Sequence, residues 1–586
     1  MYKPYTNRVG SFVAHALTAF VALATLNVPP AAAELAPADL IFFNGAIHTM
    51  VTHQPMATWI AVRGGRIAAL GNAQVPKALR GPGTRMVDAH RKLILPAFHD
   101  AHTHPVWGGL SYGHCALYEG NSVQDYQKLI AKCAHDDPES TWLYGVGWRD
   151  GLFSPDGVPD KSLIDAVVPD RPAAFSNVGG HGLWLNSKAL AMAGITRDTP
   201  DPPHGRIDRD AQGNPMGGLQ EAAVELVTSR LPAPSEAARE QALLYAIHYF
   251  NSMGIVGFHD ALVPAHSEGS AQVIPPRVPD TYIALQAQGH LRAYVTLALA
   301  WDRGAGLEQV PGLEQAEARL AAAGIHARAV KFLLDGVPAQ RTAALIEPYS
   351  DKPGERGALE VDQELLKQAV AAVAAKGFQV HFHAIGDRAV QASLDAIQFA
   401  QQRVGKPLDR PLISHVNLAS TPDLGRFKTL SAIPIFQPLW ACMDDYMRMV
   451  AVRVGEQRME HMYPVGSLMR QGVMVAYGSD WPVASANPFE GLEVAVSRLA
   501  PGSTSGEPLA PSERVTLDAA VRNYTLHSAY VLHVDDQSGN LEVGKNADLI
   551  AVDQDIFAIP TDRIARTHVL LTLYKGEVVF GDLGGL

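Results

Sequence analysis

Six residues far apart in this chain have side chains that could do chemistry, and each lies in or just after an apolar run. They are His102 and His104 after KLILPAF, Lys331 in AVKFLLDG, His383 in FQVHFHAIGD, His415 in PLISHV and Asp480 in VMVAYGSD. A His-x-His in a strand points both imidazoles to one side, because side chains alternate faces with period two. The motif alone says little. With 23 histidines in 586 residues, about one such pair is expected by chance, and His381 with His383 makes a second. Periodicity cannot choose the ligand within that second pair. Taken singly, His415 reads equally as a satisfied core histidine, Asp480 as a helix cap and Lys331 as a surface amine. Six residues at the ends of five strands in one order are hard to assign to structure together.

The apolar runs recur: LILPAFHDAHTH, then 254–261, 292–300, 329–336, 378–387, 411–416, 432–438 and 473–480, with helix-period stretches such as DQELLKQAVAAVAAKG between most of them. Eight buried strands with intervening helices predict an α/β fold, a TIM-like (β/α)8 barrel whose catalytic groups sit at the C-terminal strand ends. Short, Gly-punctuated strands occupy 35–92 and 537–586. Neither segment can bury a core alone, so they are expected to pair into one small β-sandwich and to leave 93–536 as the barrel. The interval of about 140 residues between the first two barrel strands exceeds a single crossover. An inserted subdomain at about 110–250, roofing the barrel mouth, is expected there.

A net charge of −11, spread along the chain, argues against nucleic acid as a partner. Residues 1–33 carry Lys3 and Arg8, an apolar stretch from Ser11 to Val28, and Ala31-x-Ala33. That is the layout of a signal peptide, so an exported protein, periplasmic or secreted, with no stable membrane insertion afterwards is expected. Cys115 and Cys133 permit one internal disulfide, while an unpaired packed thiol is equally open for each cysteine.

The words LPAFHDAHTHP, VKFLLDG, HFHAIGDRAV, YGSDWPV and NLEVGKNADLIAVD resemble the amidohydrolase superfamily, in its amidohydrolase-3 branch, the group similar to N-substituted formamide deformylases. The resemblance implies two divalent metals, with zinc suited to the ligand types. His102, His104 and Asp480 would hold one and His383 with His415 the other. Lys331, carboxylated by carbon dioxide, would bridge them. Metal-activated water would attack a polarised carbonyl, and Asp480 would pass its proton to the leaving nitrogen. His381 is assigned to support; His99, Asp100, Asp335 and Asp387 are candidates for orienting ligands, although the aspartates read equally as turn caps.

GGHGLWLNS resembles the family's DGHSxWxNS segment and would place His181 and Trp184 near the mouth, with Gly180 where the aspartate usually stands. Trp107, Trp148, Phe153, Trp440 and Trp481 follow other loop or strand-end positions and would favour an apolar acyl or aryl group. The implied function is metal-dependent hydrolysis of a carbon-nitrogen bond, N-acyl or N-formyl, in a small, partly apolar molecule. Carbamate, urea, dipeptide or lactone hydrolysis by the same metals is one alternative, and an exported binding protein without turnover is another. A deaminase fits less well, because no glutamate follows the strand-five histidine closely.

Overall fold

In the computed structural model, residues 36–113, 115–153, 157–203, 205–265 and 277–586 are described; the expected leader lies outside them. Eight parallel strands form one sheet in sequential order: β1 (Phe98–Thr103), β2 (Ile255–Val263), β3 (Tyr294–Ala300), β4 (His326–Leu333), β5 (Gln379–Ala384), β6 (Leu412–His415), β7 (Ile433–Phe436) and β8 (Ala476–Tyr477). Most coincide with the apolar runs, because strands buried on both faces favour apolar residues; β1, FHDAHT, is the exception, the apolar Leu93–Pro96 before it lying in another sheet. Where β8 returns to β1, the Asp480 amide donates to the His102 carbonyl at 2.7 Å and the His104 amide to Trp481 at 2.9 Å. Gly478 permits this approach, since a Cβ there would lie 2.5 Å from the His102 nitrogen.

The two ends of the chain do pair. A six-stranded sheet joins Leu549–Val552, Val569–Tyr574 and Glu577–Gly581 to N-terminal strands, and it faces a four-stranded sheet built from residues 40–88. Apolar side chains from both termini, among them Phe42, Ile60, Leu549 and Leu571, share one core. One boundary moves: Leu93–Pro96 pairs with Leu549–Val552, so the sandwich runs four residues past the expected 92 and the barrel starts at Phe98.

Between β1 and β2 a six-stranded sheet spans Cys115 to Glu221, with its own apolar clusters. It ends sooner than the expected 250. The helix Glu236–Ser252 buries Leu243, Ala246 and Phe250 against the barrel and belongs to it. Cys115 and Cys133 form a disulfide with Cα atoms 5.6 Å apart, fastening the helix Val123–Asp136 to the insert's edge strand; Cys442 is a buried free thiol. Among the described residues no helix is long and apolar enough to cross a membrane.

Candidate metal centre

All six implied ligands meet at the C-terminal mouth of the barrel. His102, His104, Lys331, His383, His415 and Asp480 line one cavity of about 90 Å3, and ligand atoms of His102, His415 and Asp480 lie within 4.8 Å of one another. Asp480 Oδ1 is buried and accepts no hydrogen bond, yet His104 Nε2 stands 3.1 Å and His102 Nε2 3.5 Å away. The His102 and His415 rings are 4.8 Å apart, and those of His415 and His383 4.5 Å. His383 Nε2 is likewise buried without a partner. Unmade hydrogen bonds at buried polar atoms are costly, so imidazoles and a carboxylate left facing one another without them fit a divalent cation.

The ring nitrogens turned away from this point are held. His102 Nδ1 meets Ser414 Oγ at 2.7 Å, and His415 Nδ1 meets Gln437 Oε1 at 2.9 Å. Fixing one nitrogen of an imidazole aims the other, the usual outer-shell arrangement of a metal site. Burial holds these rings neutral: His102 and His383 are displaced well below the ordinary histidine value, and His415 to about 3. A neutral imidazole is the form that ligates. His104 Nδ1 has no hydrogen bond and faces Asp260 Oδ1 at 4.0 Å. Asp260 is itself held by the Tyr282 hydroxyl at 2.8 Å.

Lys331 is 1 % exposed and forms no ion pair among the described residues. Its Nζ lies 3.1 Å from His381 Nε2. Burial lowers the ammonium to about 7. His381 sits beneath the ligands, bonded also to Ser414 Oγ at 2.6 Å and to His259 Nε2 at 3.1 Å, while His383 lines the cavity. The two members of the second His-x-His thus share the barrel interior at different depths.

Backbone strain collects here. His415 (φ 79°) and Asp480 (φ 59°) occupy the left-handed region, and so does Glu221 (φ 51°), the carboxylate that takes His181 Nδ1 at 2.9 Å. Such conformations cost roughly 1–3 kcal/mol each in non-glycine residues and persist where surrounding structure over-determines them, as at functional sites. His181 lines the cavity. Burial by itself would depress its pKa, but Glu221 more than offsets this and raises it.

Several expected site residues stand elsewhere. Trp184 does not reach the mouth: it is fully buried in the insert with Trp148, Phe153 and Phe175 around it, because alternation along its strand turns it inward. Trp481 packs with Tyr112, Tyr249 and Phe250. Trp107 and Trp440 do line the cavities. His99 lies deeper in the barrel, against Tyr294, and Asp387 caps turns by accepting from the amides of Ile346 and Arg388, so neither touches a ligand. Asp100 accepts from the Ser479 hydroxyl and amide and from the His102 amide, tying β1 to the loop that carries Asp480. Asp335 accepts the amides of Ala344, Ile385 and Gly386 and stands 3.9 Å from His383 Nε2. At Gly180, φ is 73° and a Cβ would lie 2.9 Å from the Trp107 ring; the position usually held by aspartate has no room here. Glu221, Asp260, Ser414 and Gln437 carried no sequence signal, since each is paired with its histidine only by the fold.

A model of the amidohydrolase family, in its amidohydrolase-3 form, matches residues 85–580. The chain is 30 % identical over 518 residues to Protein LONG AFTER FAR-RED 3 of Arabidopsis thaliana, covering 88 % of this chain and 87 % of that one. It is 26 % identical over 561 residues to an N-substituted formamide deformylase of Arthrobacter pascens, covering 93 % and 99 %. Among solved structures, an uncharacterized metal-dependent hydrolase from Pyrococcus horikoshii superposes with a TM-score of 0.68 at 22 % identity over 89 % of this chain and 99 % of its own.

Proposed function

Since this chain belongs to the amidohydrolase family, in its amidohydrolase-3 branch, and is a metal-dependent hydrolase of small molecules, we propose that it cleaves an amide-type carbon-nitrogen bond, N-acyl or N-formyl, in a partly apolar substrate. The observation that carries this reading is Asp480, an unbonded buried carboxylate oxygen with two imidazole nitrogens turned on it. It lines both the ligand cavity and a larger adjoining one of about 500 Å3. The similarity to a formamide deformylase supports the choice of bond.

His102, His104 and Asp480 would hold one divalent ion, and His383 with His415 a second; zinc suits these ligand types. A carbamate on Lys331 would supply one anionic oxygen to each, and a buried lysine without an ion pair supports that reading. Ions so held lower the pKa of bound water and polarise a carbonyl. The chain's own part is proton handling and placement. Asp480 accepts the proton released in the attack and returns it to the nitrogen, which must be protonated to leave. His181, kept in place by Glu221, is positioned to donate a hydrogen bond to the substrate carbonyl. Trp440, stacked on His415 at 5.4 Å, gives an apolar wall for the acyl or aryl part. Export completes the reading, supported by the disulfide, a bond suited to oxidising compartments.

The test is a product-resolved mass-spectrometric assay of formamides, longer N-acyl amines, anilides, carbamates and lactones, with zinc and bicarbonate, beside a chelated control. Amide turnover that vanishes with the chelator is expected. Turnover confined to lactones or carbamates would reject the amide reading.

A further inference from the structure

Beyond the ligands, the larger cavity runs along the seam between the insert and the loops after β5, β6 and β7, and its polar wall there is rich in acceptors. Asn417, two residues past the ligand His415, is 2 % exposed and lines this cavity, and its carboxamide oxygen makes no hydrogen bond. Asp150, 6 % exposed, also lines it. Its carboxylate accepts from Asn177 Nδ2 at 3.2 Å and Gln340 Nε2 at 2.5 Å, which are neutral amides, and no cation lies within ion-pair distance among the described residues. Asp444 adds a further carboxylate, with one oxygen spent on the Met447 amide.

The cations that share this lining are already engaged. Arg149 donates to the Gly120 carbonyl and to Asn121 Oδ1, and His181 is held by Glu221. The same cavity also has apolar lining, including Ile385, Leu439 and Trp440.

We propose that this end of the cavity is a cation subsite: the substrate carries, on an apolar spacer from its scissile bond, a protonated amine or guanidinium that Asp150 neutralises, with Asn417 Oδ1 accepting a hydrogen bond from a donor on the way. The inference rests on the amide-hydrolysis reading and narrows its substrate to an N-acyl compound ending in a basic group. A buried carboxylate whose hydrogen-bond donors are all neutral amides, with only the more distant His181 charge to lower it, is costly to ionise, and an arriving cation removes that cost while making charge-assisted bonds. Burial accordingly pushes the Asp150 carboxyl up to about 6. An anionic tail would meet the same carboxylates as repulsion.

Three N-acetyl compounds of matched length separate the possibilities: those of 1,5-diaminopentane, pentylamine and 5-aminopentanoate. With the zinc-loaded enzyme, kcat/KM for the cationic compound is expected to exceed the neutral one by about ten-fold or more, the order of one charged hydrogen bond, with the anionic compound last. In Asp150→Asn the cationic-to-neutral ratio is expected to fall toward one. Equal kcat/KM for all three, or a preference for the neutral or anionic compound, overturns the subsite, and this series on the unaltered enzyme decides even where the variant does not fold. An equal drop for all three in the variant would assign Asp150 a structural role and overturn it too. Calorimetric binding of pentylguanidinium against pentanol separates the two readings. Tighter guanidinium binding that D150N abolishes, with no amide turned over, keeps the subsite and rejects amide hydrolysis. Equal binding of the two rejects the subsite whatever the enzyme cleaves.

Discussion

In the proposed reaction Asp480 and Lys331 have separable roles at the scale of single residues. Asp480→Asn keeps the shape but loses the charge and the proton acceptor, so kcat is expected to fall by on the order of 10^3-fold, the size of a general acid-base contribution. Metal per chain, measured by plasma mass spectrometry, should fall with it. Full activity and metal content in that variant would remove Asp480 from the site. If Lys331 bears the proposed carbamate, Lys331→Ala removes a carboxylate, and added formate or acetate should restore part of the lost activity, whereas added methylamine should not. Asp150 makes a prediction about stability. Its carboxyl is raised to about 6 from an ordinary 3.8, so between those values the folded chain binds more protons than the unfolded one and stability declines as pH rises. Asparagine does not titrate. The unfolding midpoint of D150N relative to its parent should therefore shift in the variant's favour from pH 4 to pH 8, a trade of binding for stability.

Strands and the loops at their ends decide where those residues point. Ser414 sits between His102 Nδ1 and His381 Nε2, so Ser414→Ala should leave the chain folded while lowering metal affinity or kcat by about 10- to 100-fold, as loss of outer-shell partners does; a metal titration and a kcat both equal to the parent's would deny it that role. Reduction of Cys115–Cys133 releases a short loop, and chain-entropy arguments put the cost at about 3 kcal/mol. That loss should appear as faster proteolysis within 115–221, with the barrel resistant. Most strands were legible because a buried apolar run ends near polar residues, as in LISH and IPIF, and the candidate ligands fall in the last residues of the strands or just beyond them; β1 (FHDAHT) and β5 (QVHFHA) carry polar side chains along their length. What was not legible depends on tertiary pairing. Glu221 reaches His181 from 40 residues away, and nothing local distinguishes it from a surface glutamate. Trp184 misled because a motif fixes spacing while the strand's pleat fixes facing. The left-handed backbone at His415 and Asp480 has no glycine to announce it.

For the whole molecule, the two faces of the barrel divide the work, as in barrels generally: the C-terminal face holds chemistry and the N-terminal face holds stability. The terminal sandwich closes onto the lower end through Asp548, which is 2 % exposed and directly precedes the strand paired with Leu93–Pro96. Its carboxylate accepts from the Tyr294 hydroxyl at 2.9 Å, the Ser538 hydroxyl at 2.7 Å and the Lys575 amide at 2.7 Å. Tyr294 opens β3, so this one side chain ties the C-terminal segment to the barrel floor. Asp548→Ala leaves those donors without that acceptor, and about 2–4 kcal/mol of stability should be lost, read as a lower denaturant midpoint. The catalytic mouth lies at the other end of the strands, so kcat of the folded fraction and metal per chain should stay at the parent's values. A proportionate loss of kcat at full occupancy of the folded state would mean that the floor positions the ligands, and the division between the two faces would not hold for this protein.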